Sequence, residues 1–309
     1  MQFTIESWDP AYGASVDQAT LEESTGPVDA TVERSLDDWA PIPPDPTMPT
    51  PDTIWFVDGV RRIDARVWIT DPDSGLTHPG VCATVAAGAV CCEPGSARLA
   101  VSDVQRALYT AAPGAGPIVT RHASYGLRPL AGEGNQETYL AVHNHMTAVE
   151  TALEVPTGPL DVVVFDGPLR GREAATGVGY VKTHDVQYLG DDQQRVVGRL
   201  QAGERSPLFL IGGGFARWSW YLRLPGPISH PLSGIVRLEL PGMGTADDAI
   251  ARAEMISRML PRYASEPHKD TRAPQNLHPI AGLERELRRR LGDPRLLERA
   301  LRRAGAAAA

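Results

Sequence analysis

The sequence predicts an α/β protein: a mixed sheet flanked by helices, with an extended amino-terminal lead-in and helices at the carboxyl end. Three observations carry this prediction. Two short apolar runs, Ile54 to Val57 and Val162 to Phe165, read as strands, and the β-branched second run suits burial on both faces. A helical period of apolar residues separates them, between Glu137 and Glu154. Strand patterns resume at Gly177 and give way to a clear helix over Ala246 to Leu260.

Residues 1–52 form an acidic lead-in that ends in a proline cluster at Pro41, Pro43, Pro44, Pro46, Pro49 and Pro51. Such a segment resists regular structure and is expected to wrap the surface, with short helices near Asp17 to Glu23 and Val32 to Trp39. From Thr53 the pattern turns to β. TIWFVDGV reads as a strand that runs into Asp58-Gly59. In RRIDARVWIT, Ile63, Ala65, Val67 and Ile69 alternate with Asp64, Arg66, Trp68 and Thr70 as in a second, half-buried strand. Val81 to Val90 supplies a third, and together they predict an antiparallel meander with Asp58 on its first strand.

Between Glu137 and Glu154 the spacing changes. Val142, Met146, Val149 and Leu153 fall at offsets of four, three and four, the stripe of an amphipathic helix. His143, Thr147, Glu150 and Glu154 follow the neighbouring line, and Pro156 and Gly158 end the helix. Glu150 lies on the helix that turns directly into the strand LDVVVFDG, whose carboxyl end is Asp166. The next strand, in GVGYVKTH, carries Lys182. A lysine inside an apolar strand implies a carboxylate or phosphate within its reach.

PLFLIGGGFARWSWYLRL gives two strands joined by a glycine turn. The glycines lack the Lys-Ser or Lys-Thr of a phosphate-cradling loop. Trp218, Trp220 and Leu222 share the expected core face; Arg217, Ser219, Tyr221 and Arg223 share the other, which is suited to a phosphate backbone. GIVRLELP is a further strand. The tail opens a helix after Pro279 that carries Glu284, and it then holds the most basic stretch of the chain, from Arg288 to Arg303.

Composition narrows the function. Hydrophobic content of 42% and charged content of 22% are ordinary for a soluble globular protein, and no apolar run reaches membrane-span length. MQFTIESWDP has no basic, apolar signal segment, so a cytoplasmic location without membrane attachment is expected. Three cysteines in an apolar stretch, Cys82, Cys91 and Cys92, fit buried thiols and neither a disulfide ladder nor a zinc site. A net charge of −8 argues against indiscriminate coating of nucleic acid but leaves room for a local basic channel.

The chemistry rests on the acids. Two strands that each end in Asp-Gly can lie side by side and bring Asp58 and Asp166 to one sheet edge, where opposed like charges call for a divalent cation. With Glu150 they form an all-oxygen set suited to magnesium or manganese. Two such ions can activate water and stabilise the leaving oxygen of a phosphodiester. Lys182 would neutralise developing charge and Tyr221 would orient the scissile phosphate. A meander with an acid on its first strand, a helix, then a strand with a second acid is the element order of an RNase H-like core.

FVDGVRR, VVFDGPL, GYVKTH, SWYLRL followed by VRLELP, and NLHPIAGLE occur in this order, and in them the chain resembles the NurA nuclease domain. The resemblance spans 53–309. It implies an RNase H-like nuclease that forms homodimers, prefers Mn2+ (or Mg2+) and degrades DNA ends beside the hexameric ATPase HerA, in end resection and repair. It makes Asp58 and Asp166 metal ligands, Glu150 the acid between them, and Lys182 and Tyr221 supporting groups. Val60 stands where the family usually has Ser. Glu284 takes the place of a late histidine ligand, with His278 six residues earlier as the alternative. The competing expectation is a catalytically silent subunit of nuclease fold that serves as a binding or assembly module.

Overall fold

A computed structural model describes residues 26–71, 73–158, 161–169, 172, 176–184 and 186–308. Its strands are β1 (Val28–Asp29), β2 (Ile54–Thr70), β3 (Thr77–Glu93), β4 (Ser96–Thr110), β5 (Ile118–Val119), β6 (Ser124–Pro129), β7 (Val162–Asp166), β8 (Gly177–Val181), β9 (Phe209–Ile211), β10 (Arg217–Arg223) and β11 (Ile235–Pro241). The helices are α1 (Asn135–Thr151), α2 (Asp191–Arg199), α3 (Ala246–Met259), α4 (His278–Arg290) and α5 (Pro294–Ala308). Among the described residues the strands form one sheet in the order β1-β9-β10-β11-β8-β7-β2-β3-β4-β6-β5. No described helix is long and apolar enough to cross a membrane.

The middle of the sheet positions the acids. β2, β3 and β4 are antiparallel neighbours, β7 lies parallel to β2, and β8 lies parallel to β7. Ile54, Phe56, Val162, Val164, Val178 and Tyr180 share the face covered by α3 and α4, through Ile256, Ile280, Leu283 and Leu287. Residues one position away in each strand point to the other face. There Val85 and Ala87 meet Val142, Met146 and Val149 of α1. This apolar stripe is the one the 3.6-residue period predicts.

The structure differs from the sequence expectation in three places. TIWFVDGV and RRIDARVWIT are one 17-residue strand rather than two, and the third strand of the meander is β4. Asp58 therefore sits inside a strand, not at its end. The alternation from Ile63 onward is broken by a β-bulge between Ile63 and Ala65. An extra residue at a bulge resets which face the following side chains occupy. Ile63 is left 41% exposed while Asp64 is buried, where it accepts from Thr84, from Tyr125 Oη at 3.0 Å and from Arg62 Nε at 2.8 Å.

The third difference is in the lead-in. Leu36–Asp38 is a single 3-10 turn rather than a helix over Val32 to Trp39, and the helix expected near Asp17 lies outside the described residues. Trp39 packs with Leu200, Phe209 and Tyr221, so this segment covers one face of β9 and β10. All three cysteines are free and buried; burial pushes the Cys82 thiol up to about 12 and the Cys92 thiol up to about 11.

Candidate metal centre

Asp58 and Asp166 point to the same face because their strands pair in parallel register, with Val57 opposite Phe165. That face carries α4, which brings Glu284 down onto the pair. One carboxylate oxygen from each of Asp58, Asp166 and Glu284 lies within 4.8 Å of the other two. Like charges about 4 Å apart repel by about 4 kcal/mol at an effective dielectric of about 20. Burial, then Asp166, Glu284 and Glu150, push the Asp58 carboxyl well above its usual range, with Lys182 opposing them. An all-carboxylate set of this kind fits a hard divalent cation, which would relieve the repulsion.

The cleft over the acids holds about 500 Å³ and is edged by Arg61, Arg62, Tyr139, Arg272 and Arg288. Arg61 stacks over the Tyr139 ring at 4.7 Å and donates to His143 Nδ1 at 2.8 Å. Burial, then Arg61 and Arg172, lower His143 to about 4, so it is a neutral acceptor at pH 7. A cavity of about 620 Å³ lies on the other side of α4, against the β3–β4 hairpin, and His278 lines it. Six residues at about 100° each turn His278 away from Glu284 on the helix.

Lys182 extends from the end of β8 on the acid face, donating to Asp166 Oδ2 at 2.7 Å and to Asn276 Oδ1 at 3.0 Å. Glu150, expected as a ligand beside Asp58 and Asp166, lies on the opposite face of the sheet and is not one of the three acids that come together. It packs beneath Gly59 and is ion-paired with Arg172, whose guanidinium also donates to the carbonyls of Asp166 and Pro168 at 3.2 Å. The structure thus brings Asp58, Asp166, Glu284 and Lys182 together, with Glu150 across the sheet from them.

Tyr221 is not brought to the acids, which corrects the expectation that it orients a phosphate. Its register partner is Arg237, whereas Asp166 registers with Tyr180 and that with Leu238, so Tyr221 faces the other side of the sheet. It is 3% exposed and stacks on Phe209 at 5.9 Å and on His184 at 6.1 Å. The polar face expected on β10 is likewise covered. Arg217 and Arg237 pair with the buried Glu239, and Arg223 donates to the carbonyls of Ser233, Pro231 and Gly198.

The two Asp-Gly motifs need glycine for different reasons. Gly167 has φ of +113°, a conformation L side chains rarely adopt. Gly59 is in ordinary strand conformation, but a Cβ there would collide with Glu150 Oε1 and lie 2.8 Å from Met146 Cγ. Arg172 pins Glu150, so the helix cannot yield cheaply. Gly59→Ala is expected to cost about 1–3 kcal/mol, read by chemical denaturation. Gly116→Ala, where an added Cβ meets nothing within 4 Å and the backbone is not in the left-handed region, is the control for glycine replacement away from the site.

Sequence reasoning missed Asp270, Arg272 and Asn276, which lie in the irregular segment before α4. Arg272 grips Glu284 with both terminal nitrogens, at 3.0 and 2.8 Å. Asp270 accepts from the Arg272 amide at 2.8 Å and from Asn276 Nδ2 at 2.6 Å. The one available signal was composition: polar residues set among Pro274 and the cluster NLHP, directly before the helix that carries an expected ligand.

The NurA domain profile matches residues 132–289, just over half of the sequence. The chain belongs to the NurA family. Among solved structures, the crystal structure of the NurA nuclease from Sulfolobus solfataricus is similar over 83% of this chain and 86% of that one, with 11% identity and a TM-score of 0.49. Comparison with curated proteins finds no match. Within the NurA-matched region lie Glu150, Asp166, Lys182, Tyr221 and Glu284, while Asp58 precedes it.

Proposed function

We propose that this NurA-family chain is a metal-dependent deoxyribonuclease that hydrolyses phosphodiester bonds at DNA ends. The observation that carries the reading is the convergence of Asp58, Asp166 and Glu284 from two parallel strands and a helix, in a cleft edged by arginines. Family membership supports it. The order β4-β3-β2-β7-β8, three antiparallel strands followed by two parallel ones, supports an RNase H-like core.

In this reading the three carboxylates hold Mn2+ or Mg2+, which when bound supplies Lewis-acid activation of water and stabilisation of the leaving oxygen. Lys182 holds Asp166 in place and offers positive charge beside the phosphate. Arg61, Arg62 and Arg288 meet the DNA backbone at the rim. The family resemblance adds a HerA-type hexameric ATPase as partner, a homodimer, and a role in end resection and repair.

The silent-module reading rests on a different observation: Glu150 and Glu284 are each already held by an arginine. A cleavage assay on single-stranded and duplex DNA separates the two. Cutting with Mn2+ or Mg2+, blocked by chelator and by Asp166→Asn, is the expected result. An intact wild type that cuts neither substrate with either ion would leave the module.

A further inference from the structure

A continuous chain of polar contacts joins two of the three acids along one wall of the cleft. It runs from Asp166 to Lys182, on to Asn276, to Asp270, to Arg272 and so to Glu284. Asp166 belongs to a strand tip and Glu284 to a helix on the covering layer, so nothing local in the sequence fixes their separation. The segment between Ser265 and Leu277 does so instead. Asn276 is fully buried, and its amide bridges Lys182 on one side and Asp270 on the other. Arg272 is half-buried with its fork closed on both oxygens of Glu284, a geometry that sets the plane of that carboxylate.

We infer that Arg272 and Asn276 are positioning residues that hold Glu284 and Lys182 in register, so that the three acids are preset for a divalent cation rather than gathered by it. The inference rests on the metal-centre reading above and goes one layer beyond it. Each carboxylate oxygen of Glu284 keeps a second lone-pair direction after binding Arg272, and the arginine fork decides where those directions aim. Outer contacts of this kind change metal affinity by about 10–100-fold when removed.

Arg272→Lys isolates geometry from charge, because lysine keeps the cation but cannot hold both oxygens in one plane. Mn2+ binding is measured calorimetrically on the full chain, with Asp58→Asn as the variant lacking the site. About a tenfold or greater weakening is expected for Arg272→Lys. A matching rise is expected in the Mn2+ concentration that half-saturates cleavage, with kcat recovering at saturating Mn2+. A merely structural role would lower thermal stability and leave Mn2+ affinity and its half-saturation point unchanged. Asn276→Ala breaks the chain on its other side and is expected to weaken Mn2+ in the same way. Wild-type affinity in either variant, once folded, overturns the inference alone. Failure of wild type to bind Mn2+ overturns the metal-centre reading and the inference with it.

Discussion

Asp58→Asn is expected to lower DNA cleavage by about 10³-fold or more, while making the metal-free protein more stable. The first effect follows from the several kcal/mol of charge stabilisation that a bound cation supplies, at about 1.4 kcal/mol per tenfold in rate. The second follows from burial, followed by Asp166, Glu284 and Glu150, all of which raise the Asp58 carboxyl. A carboxyl raised in the native state binds its proton more tightly there than in the unfolded chain. Its penalty is absent below the unfolded value of about 3.9 and grows as pH rises through the native value. At pH 7 the metal-free wild type carries that penalty and the amide does not.

Thermal melts should show the variant above wild type in chelator, with the difference shrinking in acid. Added Mn2+ should raise only the wild type. A variant that still cuts at wild-type rate, or that melts lower than wild type in chelator, would remove Asp58 from the site.

Glu239→Gln is expected to be the most destabilising single-atom change in the sheet, by about 3–5 kcal/mol. Glu239 is fully buried on β11, where its carboxylate accepts from Arg217 Nε at 2.8 Å, from Arg237 and from the Leu169 amide at 2.8 Å. Burial alone would raise its carboxyl; Arg237, Arg217 and the Leu169 amide outweigh burial and hold it below the usual range. The stability this contributes is present above the unfolded value and is lost as pH falls through the native one.

Glutamine keeps the shape and removes the negative charge that both buried guanidinium groups share. A fall in Tm of roughly 5–15 °C at pH 7 follows, narrowing in acid. Because Leu169 closely follows Asp166, activity at temperatures where the variant is folded should fall as well. A Tm within 2 °C of wild type would mean that the two arginines do not depend on Glu239 (about 1 kcal/mol corresponds to ~2–4 °C).

What the sequence disclosed, it disclosed through local pattern. Val162 to Phe165 is a run too short and too β-branched for a helix, and its terminal Asp166 pointed to the candidate site. The stripe of Val142, Met146 and Val149 marked α1, and Glu284 stood out through its place in a motif. The rest depends on contacts that periodicity does not encode. β4 alternates poorly between buried and exposed along its first half, so it carried no strand signal. Arg172 and Arg272 lie outside the strands and helices, where an arginine reads as solvated until the fold closes around it. Tyr221 misled because an alternating strand says which residues share a face but not that both faces are covered.

The bulge at Asp64 sets the phase of everything beyond it on β2. Downstream of it, Ala65, Val67 and Ile69 lie under the cluster that includes Leu301 of α5, while Arg66 turns to Asn135 at the start of α1. Removing one residue there would invert that half of the strand, driving Arg66 and Trp68 into the space that small and branched side chains now fill. At this point of the chain length is a stricter requirement than identity: many substitutions would be absorbed, but a frame slip of one residue would not.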